Sequence, residues 1–114
     1  MPSIKKNKYN YFPQTKEALQ DIINKRIREE GNEVNLNDID VSNITNMSYL
    51  FEDTDFNGDV SNWDVSNVTD MHGIFCDCDY FNKDISNWNI SNVKHNKYIF
   101  ICCPIKEKYK PKFN

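Results

Sequence analysis

From residue 36 to residue 103 the apolar positions repeat with an offset of 24, then 25, residues. Asp40-Val41-Ser42-Asn43-Ile44-Thr45-Asn46-Met47-Ser48-Tyr49-Leu50-Phe51 lies over Asp64-Val65-Ser66-Asn67-Val68-Thr69-Asp70-Met71-His72-Gly73-Ile74-Phe75. A looser third copy is Asn89-Ile90-Ser91-Asn92-Val93-Lys94-His95-Asn96-Lys97-Tyr98-Ile99-Phe100. Between them Phe56-Asn57-Gly58-Asp59-Val60-Ser61-Asn62-Trp63 matches Phe81-Asn82-Lys83-Asp84-Ile85-Ser86-Asn87-Trp88. A period in the twenties with apolar positions in register predicts stacked coils.

Each coil has two predicted parts. Phe56, Val60 and Trp63, like Phe81, Ile85 and Trp88, are spaced to turn inward from an extended segment. Met47, Leu50 and Phe51, like Met71, Ile74 and Phe75, stand at i, i+3 and i+4, the spacing of one face of a short helix. Thr45 and Thr69 are placed to cap such helices. The Ser42/Ser66/Ser91 and Asn43/Asn67/Asn92 columns suit side-chain to backbone bonding at coil corners. Leu19, Ile22, Ile23 and Ile27 form one stripe over 15–30, with Thr15 as N-cap and Gly31 as terminator. That helix covers the first coil.

The expected fold class is therefore an α/β repeat: a short right-handed leucine-rich-repeat-like solenoid of about three strand-plus-short-helix coils behind an N-terminal capping helix. One domain spans 1–114. It divides into a basic arm and capping helix (1–34), acidic repeat coils (35–93), and a degenerate third coil with a basic C-terminal cap (94–114).

Charge sharpens that division. The 114 residues have a net charge of −3. Residues 32–93 nevertheless hold one lysine, Lys83, against twelve carboxylates, while residues 94–114 hold six lysines against Glu107. Such a middle repels phosphates, which disfavours direct nucleic-acid binding. No apolar run approaches the ~18 residues of a membrane span. The basic start Met1–Lys8 leads into Tyr9-Asn10-Tyr11-Phe12 and not into an apolar stretch, so no signal peptide is expected and a cytoplasmic location follows.

The string Phe56 to Met71 resembles the repeat of BspA-like surface proteins. These are leucine-rich-repeat-related chains also described as a domain of unknown function or "mycoplasma lipoprotein" repeats, and the likeness spans about 36–103. It implies a curved strand-plus-helix solenoid that binds other molecules, often at a bacterial surface, with no catalytic residues. The shortness of this chain, the export signal it is not expected to carry, and His72-Gly73 in its second predicted helix depart from that pattern.

Candidate chemistry is sparse. Glu52, Asp53 and Asp55 follow the first predicted repeat helix, and Asp77 and Asp79 follow the second. Stacking brings the five together at one edge, as a solvated loop, a surface for a basic protein, or an oxygen-rich calcium site without the usual glycine-bearing loop. Cys78 and Cys103 share a column, within reach of a disulfide. Reduced, partly buried thiols are the reading preferred for them and for Cys76 and Cys102. A zinc site adding His72 or His95 lacks the spacing of a known knuckle. The motif Asn-x-Ser/Thr at Asn43, Asn46 and Asn67 comes from the repeat itself.

With no P-loop, GxGxxG or HExxH, and no nucleophile beside the carboxylates, no enzyme, cofactor or metal is expected. The expected role is a non-catalytic, monomeric protein-binding repeat module acting through its solenoid surface and acidic edge. The alternative is a small phage or mobile-element inhibitor of anti-defence or anti-CRISPR type, whose acidic surface blocks a basic nucleic-acid-binding groove.

Overall fold

The segment Lys16–Glu30 folds as the helix α1, for the reasons its sequence shows. The Thr15 hydroxyl accepts the Ala18 N–H at 3.1 Å, and Gly31, at φ 94°, ends the helix with its N–H on the Ile27 carbonyl. The structure is a computed structural model that describes residues 8–113; the basic start at 1–7 lies outside the described residues. Leu19 and Ile23 are buried, and Ile22 and Ile27 pack half-buried against the same core. Arg26 is buried with them. It donates to the Glu30 and Asp38 carboxylates and to the Asn35 carbonyl, and lies over the Tyr11 ring. Burial favours an uncharged Asp38, but the bonds from Asn10 and Arg26 outweigh it and hold this carboxyl below the usual range.

Beyond α1 the chain corrects the expected fold. Among the described residues the other helical element is a 3₁₀ turn at Glu107–Tyr109, and β-pairing is limited to three isolated parallel bridges, none of them in the segments 56–63 and 81–88 expected to be extended. The bridges are Tyr11 to Ile39, Asn46 to Asp70 and Asp70 to His95. There is no sheet. The α/β leucine-rich-repeat solenoid of strand-plus-short-helix coils is therefore not the architecture of this chain.

Equivalent segments are joined instead by turns. We call 32–56, 57–81 and 82–105 the first, second and third tiers. The N–H groups of Met47, Tyr49, Phe51 and Asp53 donate to the carbonyls of Asp70, His72, Ile74 and Cys76 at 2.8–2.9 Å. Those of Met71, Gly73, Phe75 and Asp77 donate to His95, Lys97, Ile99 and Ile101 at 2.8–3.1 Å. Intervening N–H groups close i to i+3 turns, as from Leu50 to Met47 and from Cys76 to Gly73.

Such a chain cannot be helical. Tyr49, Gly73 and Tyr98 stand at φ 57°, 57° and 63°, and Asp53, Asp77 and Cys102 at 57°, 58° and 55°. A positive φ at the third position is the mark of a type II turn and lies far from the helical well. A run of turns also buries Met47, Leu50 and Phe51, so apolar spacing alone imitates a helix. Thr45 and Thr69 then have no helix to cap, and the Thr69 hydroxyl donates to the Thr45 carbonyl at 3.3 Å.

The core is a set of aromatic columns. Phe51, Phe75 and Phe100 stack at centroid distances of 5.3 and 6.1 Å, and Trp63 and Trp88 at 6.3 Å. The indole N–H groups of Trp63 and Trp88 donate to the carbonyls of Leu36 and Val60, one tier back. The residues expected to face inward do so, although the segments carrying them are runs of turns around Leu50 and Ile74 and lack regular secondary structure at 56–60 and 81–85. The helix closes one end, where the Gln20 amide donates to the Leu50 carbonyl at 3.0 Å.

Corners are held by an Asx turn repeated five times. Asp40, Asp59, Asp64, Asp84 and Asn89 each accept both the N–H and the hydroxyl of the serine two residues on. The Asn67 and Asn92 amides donate to the carbonyls of Ser42 and Ser66 in the preceding tier. The bonds from Ser66 hold the Asp64 carboxyl below its usual value. A depressed folded value gives stability that is present above the unfolded carboxylate range and is lost as pH falls through the folded value. Asn89 already performs the same turn without a titrating group. Asp64→Asn is thus expected to change stability by less than about 0.5 kcal/mol at neutral pH. Its loss of stability between pH ~7 and ~3 should be smaller than that of the natural chain, as urea denaturation at both pH values would read.

Candidate functional site

The twelve carboxylates of the acidic middle divide into two groups. Asp40, Asp59, Asp64 and Asp84 hold corner serines, Asp70 accepts the His72 N–H, and Asp38 binds Arg26 and Asn10. These six are fixed in the architecture. The other six are Glu33, Glu52, Asp53, Asp55, Asp77 and Asp79. All are exposed, and among the described residues none forms an ion pair. Five of them are the residues expected from the sequence. Glu33 was not expected, because it lies before the clear part of the repeat.

The backbone explains how two of the five are presented. Asp53 and Asp77 occupy equivalent left-handed positions on adjacent tiers, which Asp tolerates better than most residues. Their N–H groups are spent on the ladder, and their side chains are exposed. The side chain nearest in chemistry is the Cys76 thiol, which donates weakly to Asp77 at 3.7 Å. Asp55 and Glu33 share a shallow depression with Asn32, Asn57 and Tyr80. The ladder brings Glu52, Asp53 and Asp77 to neighbouring tiers, and Asp55 and Asp79 follow in the loops that leave them.

Exposed apolar groups flank this edge, and the sequence reading missed them. Tyr49, Tyr80, Tyr98 and Ile101 are all exposed. The Tyr49 ring lies across Gly73, where an added Cβ would stand 2.2 Å from the ring. The equivalence of Tyr49, Gly73 and Tyr98 was visible in the repeat; that these positions point outward was not, because a helix was assumed there.

Three of the thiols, Cys76, Cys78 and Cys103, are poor nucleophiles. Burial, with Cys103 nearby, pushes the Cys78 thiol up to about 12, and its Sγ donates to the Phe51 carbonyl at 3.0 Å. Burial also raises Cys103, whose Sγ lies 3.6 Å from the Phe81 carbonyl. Desolvation and the Asp77 charge raise Cys76. All four cysteines are free. The His72 and His95 rings lie 5.3 Å apart, and His72 Nδ1 accepts the Lys97 N–H. Among the described residues no three His, Cys, Asp or Glu side chains converge as a metal would need. No described helix is long and apolar enough to cross a membrane.

Among curated proteins and among solved structures, nothing matches the chain. A family model does match it, over residues 12–108. That match covers α1, all three tiers and the start of the tail, and it carries no support for the narrower BspA-like leucine-rich-repeat resemblance. The chain belongs to the family described as Mycoplasma protein of unknown function, DUF285.

Proposed function

We propose that the chain is a non-catalytic protein-binding module that meets a basic surface of its partner through Glu52, Asp53, Asp55, Asp77 and Asp79, joined by Glu33. The observation that carries this reading is the division of the carboxylates. Half of the acidic middle is used up in corner turns and the Arg26 pair, while the remaining six stand exposed and without ion-pair partners among the described residues. Like charges held on adjacent tiers repel one another, and a cationic surface relieves that repulsion. Tyr49, Tyr80 and Tyr98 add apolar contact area beside the charge.

The test uses tagged full-length chain and a variant carrying Asp53→Asn, Asp55→Asn, Asp77→Asn and Asp79→Asn. Asn tolerates the left-handed positions as Asp does, so the variant keeps the turns. The natural chain is expected to retain a partner from host lysate at low salt, to lose it as salt rises, and to retain it at least about tenfold better than the variant does. A partner held equally by both proteins at high salt, or no partner at all, overturns the reading. If the partner processes nucleic acid, the module is acting as an inhibitor of a basic groove.

A further inference from the structure

The hydrogen-bond ladder ends unfinished. In the first two tiers four alternate N–H groups donate to the next tier. Their equivalents in the third tier are Asn96, Tyr98, Phe100 and Cys102, and among the described residues none of these N–H groups has an acceptor. Asn96, Tyr98 and Cys102 are exposed and Phe100 is half-buried. The tail covers another part of the third tier: the Ile85 N–H donates to the Tyr109 carbonyl, and the Lys106 N–H to Asn82 Oδ1. Beside the free donors lies a groove. Trp88, Ile90 and Phe100 line it where the aromatic columns end, and Lys108, Lys112 and Phe113 border it together with Lys110, which pairs with Glu107 and lies over the Phe100 ring.

We propose that this edge takes an acidic segment of a partner protein, folded in the same run of turns and laid parallel to the third tier as a further tier. Alternate carbonyls of the segment would accept the four N–H groups, an apolar side chain would cover Phe100, and its carboxylates would meet the lysines. Edge addition of this kind takes affinity from main-chain bonds and specificity from the side-chain pockets. The charge is complementary, since residues 94–114 hold six lysines against one glutamate.

A second copy is a poor occupant on either of its ends. Its first tier lies behind α1, where Gln20 and Lys16 already bind Leu50 and Ser48. Its third tier would bring donors against donors and lysines against lysines. Tyr98 is common to both surfaces, its ring beside the acidic edge and its N–H on this one; the other groups differ, so either proposal stands without the other.

The probe is a synthetic peptide of residues 64–78 with Cys76→Ser and Cys78→Ser, which carries the carbonyls that the first tier already engages. Titrated into the labelled full chain, it is expected to shift the amide resonances of Asn96, Tyr98, Phe100 and Cys102 saturably. It should also slow their hydrogen exchange at least about tenfold. Changing Lys97, Lys108 and Lys112 to Glu should weaken binding about tenfold. The Asp-to-Asn variant of the acidic edge should bind the peptide as the natural chain does. The proposal is overturned if a scrambled peptide of the same composition binds equally, or if the shifts fall elsewhere. It also falls if sedimentation shows the free chain to be a dimer with these amides already protected, or if a single-stranded oligonucleotide takes the same amides more tightly. The scrambled-peptide comparison needs no variant and stands even if the lysine variant fails to fold.

Discussion

Phe75→Ala is expected to lower the unfolding free energy by about 3–5 kcal/mol, read as a fall in the urea midpoint with little change in slope. Phe75 is the middle ring of three tiers. It stacks on Phe51 at 5.3 Å, on Phe100 at 6.1 Å and on Phe81 at 4.1 Å, and is fully buried. Truncation removes the apolar contact of one large ring and leaves a void whose walls are other aromatic rings. The tiers that carry those rings are tied by ladder bonds on both sides of Phe75, since the N–H groups of Phe51 and Phe75 donate to Ile74 and Ile99. The site therefore collapses poorly, which puts the cost toward the top of the usual range. Against a total of about 5–15 kcal/mol for a domain, a loss of this size threatens the folded state at 37 °C. Phe75→Leu, which keeps most of the volume, should cost less than half as much, and equal losses from both variants would sink the aromatic-column account.

Gly58→Ala is the second large effect, and it acts through the backbone. A Cβ at Gly58 would stand 1.9 Å from the Val34 carbonyl oxygen and 2.6 Å from the Phe56 ring. The first obstacle is main chain and cannot swing aside. The first and second tiers must separate locally, which strains the neighbouring bonds from Asn57 N–H to Asn32 and from Leu36 N–H to Asp59. We expect a loss of about 3 kcal/mol, measured by the same denaturation. The contrast is Gly31→Ala, where nothing lies within 4 Å of the added Cβ and the cost comes from φ 94° alone, about 1 kcal/mol. If Gly31→Ala proved the more damaging, close approach of the tiers would not be what Gly58 serves. The repeat places Lys83 opposite Gly58 one tier on, so only the structure shows which copy of this position is crowded.

Much about this protein is written in the order of its residues. The 24-to-25-residue offset fixes which side chains share a column, and Phe51, Phe75 and Phe100 stack as that offset requires. Thr15, the Leu19 and Ile23 stripe, and Gly31 mark α1, because caps and apolar period act within one turn of chain. The Asp-x-Ser corners are equally local. The five acidic residues are legible for the same reason: each lies at a repeat-equivalent loop, and charge is read directly.

Backbone conformation between those points belonged to the tertiary structure. Met47, Leu50 and Phe51 carry a helical spacing, yet their segment gives alternate N–H groups to the next tier, so it folds as successive turns with Tyr49 and Asp53 left-handed. Inward spacing is shared by helices and by runs of turns, and the choice between them rests on where the backbone finds its acceptors. Those acceptors lie 23 or 24 residues away. The burial of Arg26 has the same origin, since it depends on Asp38, Glu30 and Asn35 meeting around one guanidinium. So has the open donor edge at Asn96, Tyr98, Phe100 and Cys102, because a hydrogen-bonding group is left over only once every other partner has been placed.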